Sequence, residues 1–550
     1  MIINGAPELT EKLATCIYPC TGKPFQSDPL VLIHGWGSDS ETWSLILPEL
    51  RKQLNLITID LPGFGYSEFY KEDISSTEQS ILVNHFIDAI LKVIPNNCSL
   101  MGWSLGGAIA TTMIGQYPLR FPNLITIATN PCFVKKNDWD SGMPSSMFNN
   151  FLELFENDPL VCLKNFHHLQ RTGDLEERKL SKYLQPSEIK KISLFTNSIK
   201  KNNRHIYWLR ALKLLQEMDN RNILKSLESP SLHFFGENDQ LVNNRVADQI
   251  IAFNPSHKIK VFEQRSHLLH ISNAEEIAST TINFIKENRY FLNKKRIANS
   301  FSNAASTYES ASRLQSQTGK KLLAMMPNQI IPNTIIDLGC GTGCFVKSIQ
   351  DKNSCSKIIG LDLAEGMLQI AKSQYDYADI WLCGDAENIP LADNSVDIIF
   401  SNLTFQWCSQ TATLAKEITR ILKPGGKLLF TTLGENTLHE LKASWTKVDS
   451  YIHVNKFLDE DIWKIAFVNE GIQFEDFQVC NYSLEYDDLS DLMYELKKLG
   501  AHNLNSGQKK SMTSKKNIRN LINAYDQYRD SKGNLPATWQ VIFGVGVLGA

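Results

Sequence analysis

No apolar run in the 550-residue sequence approaches the ~20 residues that span a bilayer, so no membrane partner is expected. The opening MIINGAPELTEK has neither a basic start nor an apolar core, and a signal peptide is not expected. An excess of one charge is also missing. The net charge of −3 gives no broad basic field for nucleic acid, so a charged partner must be met by a local patch. The eleven cysteines are scattered and odd in number. Cys16 and Cys20, and likewise Cys340 and Cys344, have three residues between them, but no downstream Cys/His pair completes a zinc site. Free thiols in a reducing cytoplasm, with no metal, are the expectation. Internal repeats are absent. The stretch ENRYFLNKKRI (287–297) contains no Pro, Gly or Ser, which predicts two closely joined units.

The chain is longer than one hydrophobic core usually supports. Apolar, β-branched runs recur at LVLIHG (30–35), LNLITID (54–60), CSLMGW (98–103), LITIAT (124–129), SLHFFG (231–236) and KIKVFE (258–263). Helix-like segments such as 75–94 and 107–116 lie between them, which indicates a parallel sheet covered on both faces. From about 133 to 227 the strands give way to polar helical segments, read as an inserted cap. The alternation restarts with TIIDLG (334–339), KIIGLDL (357–363), DIWLCGD (379–385), VDIIFSN (396–402) and KLLFTTL (427–433). The expected fold class is α/β in two domains, 1–290 with its helical cap and 291–550.

Gly102-Trp103-Ser104-Leu105-Gly106 has the pattern of a tight strand-to-helix turn with an exposed serine at its tip. A serine hydroxyl needs a base, and this arrangement calls for Ser, then an acid, then His in chain order. Asp239 follows one strand and His267 the next, both at positions where strand ends converge. Glu237 is the rival acid. His270 is the rival base, read as a packed neighbour. Upstream, His34-Gly35-Trp36-Gly37 follows a strand, so the backbone N–H groups of Trp36 and Leu105 are the candidate oxyanion donors.

In IIDLGCGTGCF (335–345), Asp337 precedes Gly339, Gly341 and Gly343. Glycines let a ligand approach the backbone. A dinucleotide site prefers Gly-x-Gly-x-x-Gly, whereas here the third glycine comes one position early and an acid precedes the first. An acid at a strand end suits a cofactor with a cationic amino-acid moiety. Asp362 is placed to accept both ribose hydroxyls, Asp385 and Ala386 to read an adenine edge, and Asn402 closes the fourth strand.

With DLPGFGYS (60–67), the first set of motifs resembles the α/β-hydrolase family over residues ~20–288. LIHGWGSDSETW, DLPGFGYSE and GWSLGG are similar to the carboxylesterases that demethylate pimeloyl-acyl carrier protein methyl ester; Ser266 departs from the glycine common there. The second set resembles class I S-adenosylmethionine-dependent methyltransferases, with a Rossmann-like fold, over about 295–550. Residues 296–327, SNLTFQWC (401–408) and ELKKLGAHNLNSG (495–507) are similar to malonyl-acyl carrier protein O-methyltransferases of biotin synthesis. These resemblances imply S-adenosylmethionine as co-substrate and Tyr308 near it. They imply one half that installs a methyl ester and another that removes it, with acyl carrier protein as the shared partner of a monomeric, cytoplasmic enzyme. Arg178 and Lys182, four residues apart in DLEERKLSKYL, match cap positions that carry arginines in the family, and Lys164 is nearby. A solvated helix face with Glu176 and Glu177 as partners is the alternative. Two other readings stay open: a broad serine esterase fused to a small-molecule methyltransferase, and a carrier-docking module without chemistry.

Overall fold

The computed structural model describes residues 13–22, 28–67, 79–118, 120–184, 204–288, 292–327, 332–375, 377–449, 453–500 and 514–549. The opening segment 1–12, part of the seam (289–291) and part of the 495–507 motif lie outside these. The chain divides into two compact units, Met1–Arg289 and Tyr290–Ala550.

The first unit is built on seven strands: β1 (Thr15–Tyr18), β2 (Leu30–Ile33), β3 (Leu56–Ile59), β4 (Ser99–Trp103), β5 (Leu124–Ile127), β6 (Ser231–Gly236) and β7 (Lys258–Phe262). Their order is β1-β3-β2-β4-β5-β6-β7. All neighbours run parallel except β1, which pairs antiparallel with β3. β2 to β6 are buried along their length, as expected of apolar runs with helices on both faces. β1 is largely exposed at the edge, and its short TCIY carries no buried run that would announce it. Between β5 and β6 the chain leaves the sheet for helices Ser145–Asn157, Pro159–Arg171, 177–184 and Arg204–Glu217. Their buried aromatics, Phe148, Phe155, Phe166 and Trp208, join the core on one side of the sheet.

The second unit holds β8 (Thr334–Leu338), β9 (Lys357–Asp362), β10 (Ile380–Cys383), β11 (Val396–Asn402), β12 (Leu422–Leu433), β13 (Ile472–Tyr486) and β14 (Leu535–Leu548), in the order β10-β9-β8-β11-β12-β14-β13. β8 to β12 are parallel; β14 runs antiparallel between β12 and β13. Helices Lys294–Tyr308 and Arg313–Ala324 precede the sheet. Among the described residues no helix is long and apolar enough to cross a membrane, and no His/Cys/Asp/Glu group is arranged to hold a metal ion. Every cysteine is free.

Candidate active sites

β4 runs directly into the helix Leu105–Gln116, and Ser104 at the junction has φ 53° and ψ −117°. Positive φ is strained for a residue with a side chain. The flanking glycines are sterically required. A Cβ on Gly102 would lie 2.4 Å from the Gly106 backbone, and one on Gly106 would lie 2.1 Å from the Ile33 carbonyl oxygen. Leu105 is the first helical residue, so its N–H has no acceptor one turn back.

Asp239 and His267 follow β6 and β7, at the same end of the sheet as Ser104. Asp239 Oδ2 lies 2.7 Å from His267 Nδ1, while its Oδ1 accepts the N–H groups of Leu241 and Val242 at 2.8 and 3.0 Å. A carboxylate fixed in this way holds the proton on Nδ1 and leaves Nε2 bare. Among the described residues His267 Nε2 is buried without a hydrogen-bond partner, an arrangement that costs stability and suits a base awaiting a proton. The two rivals are occupied elsewhere. His270 Nε2 meets Thr42 Oγ1 at 2.7 Å and its ring packs 4.4 Å from Trp103; the Glu237 carboxylate accepts the Gln264 N–H at 2.9 Å.

A Cβ on Gly35 would come within 3.2 Å of the Ser104 Cβ, so the HGWG loop lies against the serine. Trp36, next in the chain, donates its indole N–H to the Trp208 carbonyl at 2.9 Å. Its ring is met edge-on by Phe151, Phe155, Phe166 and Trp208, at centroid distances of 5.0–5.6 Å. The cap therefore roofs this loop with aromatic carbon.

In the second unit an open cavity lies over the C-terminal ends of the parallel strands. Tyr308, Gly339, Gly341, Asp362, Asp385, Ala386 and Asn402 all line it. Asp362 Oδ2 accepts the Gly341 N–H at 2.9 Å and Oδ1 that of Ala364 at 2.8 Å; burial raises this carboxyl above the usual range. A Cβ on Gly341 would meet nothing nearer than the Tyr308 ring at 3.8 Å, so here the backbone is open to a ligand.

Three of the expected residues sit in settings that the motif does not announce. Gly343 is not on the cavity wall; a Cβ there would sit 2.7 Å from the Trp381 ring, so this glycine serves packing. Asp337 is also off the wall. It is buried, its Oδ2 has no hydrogen-bond partner among the described residues, and burial together with the Asp362 charge pushes its carboxyl up to about 8. The Asn402 amide is already engaged: Oδ1 accepts from Thr318 Oγ1 at 2.9 Å and Thr431 Oγ1 at 2.8 Å, and Nδ2 donates to the Gln315 carbonyl at 3.0 Å. Asn402 thus braces the helix Arg313–Ala324 against the sheet.

The alpha/beta hydrolase fold family matches residues 28–274, and the methyltransferase domain family matches residues 336–430. The biotin biosynthesis bifunctional protein BioHC of Cellvibrio japonicus (strain Ueda107) is 37% identical over 514 residues, which cover 94% of this chain and 98% of that protein. The BioHC protein of Teredinibacter turnerae (strain ATCC 39867 / T7901) is 36% identical over 552 residues, covering 96% and 94%. The chain belongs to the bifunctional BioHC family. It is an enzyme with a hydrolase domain followed by a methyltransferase domain. Its second half alone is 36% identical over 254 residues to the malonyl-[acyl-carrier protein] O-methyltransferase of Hahella chejuensis (strain KCTC 2396), covering 46% of this chain and 89% of that protein.

Several contacts in the chain escape motif reading. Ser266 donates from both N and Oγ to Asp174 Oδ2 at 3.0 Å, and Arg265 Nη1 meets Asp174 Oδ1 at 3.1 Å. The Asp174 side chain is fully buried in the cap, and the Gln170 carbonyl of the cap accepts the His267 N–H at 3.2 Å. In sequence Asp174 looks only like a cap for the helix that follows. Lys294 is another: it lines the cavity and pairs with Asp385 at 2.9 Å and Glu387 at 2.5 Å, tying the first helix of the unit to the loop after β10. Arg178 and Lys182 are exposed on the helix 177–184 and Lys164 is exposed on Pro159–Arg171. Of the acids beside them, Glu176 pairs with Lys179 at 3.0 Å, and Glu177 accepts the Gly173 N–H at 3.3 Å.

Proposed function

We propose that this chain methylates the free carboxylate of malonyl-acyl carrier protein with S-adenosylmethionine and hydrolyses pimeloyl-acyl carrier protein methyl ester to the free acid and methanol. One observation carries the reading. A single chain of the BioHC family pairs an orphaned base nitrogen near a strained serine with an orphaned buried acid near a glycine-lined cavity.

In the hydrolase half, Ser104 Oγ attacks the ester carbonyl as His267 Nε2 takes its proton, with Asp239 holding the imidazole. The Trp36 and Leu105 N–H groups stabilise the oxyanion; one such donor typically contributes about 3 kcal/mol. Methanol leaves with the proton from Nε2, and water repeats the sequence on the acyl-enzyme. The aromatic roof over Trp36 favours a long acyl chain. The four extra methylenes of a pimeloyl over a malonyl group amount to about 3 kcal/mol when buried, on the order of a hundredfold. That margin would spare the short methyl ester made by the other half.

The second half fits the sulfonium co-substrate. Asp337 lacks a partner that a cationic amino-acid moiety would provide. Asp362 accepts the N–H groups of Gly341, Ala364 and Leu363 and, lining the cavity, keeps acceptor capacity for a ribose hydroxyl. Tyr308, Gly339, Gly341, Asp385 and Ala386 complete the wall, while Gly343 and Asn402 act through packing. S-adenosylmethionine, when bound, supplies the methyl group. A carboxylate acceptor is already ionised, so this half needs no general base, only alignment and exclusion of water. Lys164, Arg178 and Lys182 supply exposed positive charge for an acidic carrier protein.

The test is mass spectrometry of carrier-protein species with wild type and Ser104→Ala. Malonyl-carrier protein plus S-adenosylmethionine should gain a methyl with both proteins. Pimeloyl methyl ester should be hydrolysed by wild type alone, and far faster than the malonyl methyl ester. No methyl gain, or equal hydrolysis of the two esters, would refute the corresponding half of the reading.

A further inference from the structure

Two residues that line the methyltransferase cavity, Trp539 and Gln315, each carry a buried polar atom without a hydrogen-bond partner among the described residues: Nε1 of the indole and Oε1 of the amide. The engaged groups lie elsewhere on that wall. Asp362 holds backbone amides, Asp385 holds Lys294, and Asn402 holds Thr318 and Thr431.

Sheet order separates the two groups. Asp362 ends β9 and Asp385 follows β10, at one side of the sheet, while Trp539 lies on β14 at the other, with β8, β11 and β12 between. The cofactor-binding candidates therefore occupy the β9–β10 side, and the acceptor is left the β12–β14 side. There the wall is Leu314, Leu433, Leu499, Gln315 and Trp539. Trp539 is only 6% exposed, and an indole N–H is a donor with no acceptor capacity. Left unpaired it costs stability, which a ligand acceptor atom would recover.

We propose that the Trp539 indole N–H binds the acceptor carboxylate, with the Gln315 amide as the second polar group of an otherwise apolar acceptor subsite. The assignment rests on the malonyl methylation proposed above. A half-turn of the Gln315 amide presents its NH₂ in place of its oxygen, so both side chains can donate. Neutral donors suit this nucleophile. They orient the carboxylate without the ion pair that a lysine or arginine would form, which would hold its charge away from the methyl carbon. The cation on the cavity wall, Lys294, is tied to Asp385 and Glu387 on the far side. In the transfer the carboxylate oxygen gains the bond to the methyl carbon, the sulfur–methyl bond breaks with its electron pair left on sulfur, and no proton moves. An unmethylated carboxylate is selected and its ester product is not, because the ester offers only weaker acceptors.

The experiment uses the full chain and Trp539→Phe, which keeps the ring and deletes the N–H. Gln315→Met serves as a second variant. Two readouts are taken: kcat/KM for malonyl-carrier protein, and binding of malonyl-CoA against its methyl ester with S-adenosylhomocysteine present. Expected for Trp539→Phe are a roughly tenfold or larger fall in kcat/KM carried mainly by KM, loss of the preference for malonyl-CoA over its ester, and unchanged affinity for S-adenosylhomocysteine, which also reports folding. Gln315→Met should move the same readouts less. Wild-type methylation with both variants indistinguishable from wild type overturns the assignment. A wild type that fails to methylate malonyl-carrier protein, yet prefers the carboxylate in a Trp539-dependent way, sinks the functional reading and leaves the donor standing. Absence of any preference in wild type overturns the donor as well.

Discussion

With its carboxyl raised to about 8 by burial and by the charge of Asp362, Asp337 is protonated at neutral pH when no cation faces it. A folded-state value above the unfolded 3.8 means the native protein binds this proton more tightly. The stabilisation is complete below about pH 4 and is lost as pH rises toward 8. Asp337→Asn, permanently neutral, should lose less thermal stability than wild type between pH 6 and 9. Parallel melting curves across that range would contradict this. A cationic ligand needs the carboxylate, so S-adenosylmethionine affinity should rise with pH up to about 8, with a proton released on binding. Calorimetry in two buffers of different ionisation enthalpy measures that release directly. Residues of this kind divide by legibility. Ser104, Asp239, His267 and Asp337 stand in local patterns with a chemical reason for their spacing. Trp539, Gln315 and Asp174 gain their character only from what the fold packs against them, and nothing in their neighbours announces it.

The elements were legible mainly where burial is continuous, and the partly exposed edge strands β7 and β10 were legible from short apolar runs. The parallel strands read as apolar runs because helices cover both faces, and β2 to β6 and β8 to β12 emerge at the expected places. The antiparallel strands were not. β1 and β13 are sheet edges, so their residues are partly or alternately exposed and no apolar run forms. β14 is mostly buried, but it lies far along the chain from β12, its partner. The serine turn gives a sharp test at this scale. A Cβ on Gly106 would meet the Ile33 carbonyl of β2, a backbone atom that no rotamer change can move aside. Gly106→Ala should therefore lower the melting temperature of the first unit and abolish ester hydrolysis. Gly341→Ala meets no clash within 3.8 Å, though its φ of 55° adds strain of about 1–2 kcal/mol. It should fold and lose cofactor affinity, because the new methyl group faces the cavity. Equal thermal penalties for the two would contradict the steric account.

At the scale of the molecule, two compact units each carry a sheet, a core and a site of their own. Effects at separate sites without shared partners add. Ser104→Ala should leave methyl transfer within about twofold of wild type, and Asp337→Asn should leave hydrolysis equally intact, both measured on the full chain. A double variant inactive in both assays, with each single variant inactive in one, completes that test.

Asp174 fastens both residues that precede His267, and Gln170 holds the amide of His267 itself. The cap over the HGWG loop and the segment that carries the proposed base are thus one mechanical part. Any reshaping of the roof to admit a different chain is transmitted to the imidazole, so variants selected for new ester lengths will surrender turnover before they surrender affinity, unless this anchorage is kept.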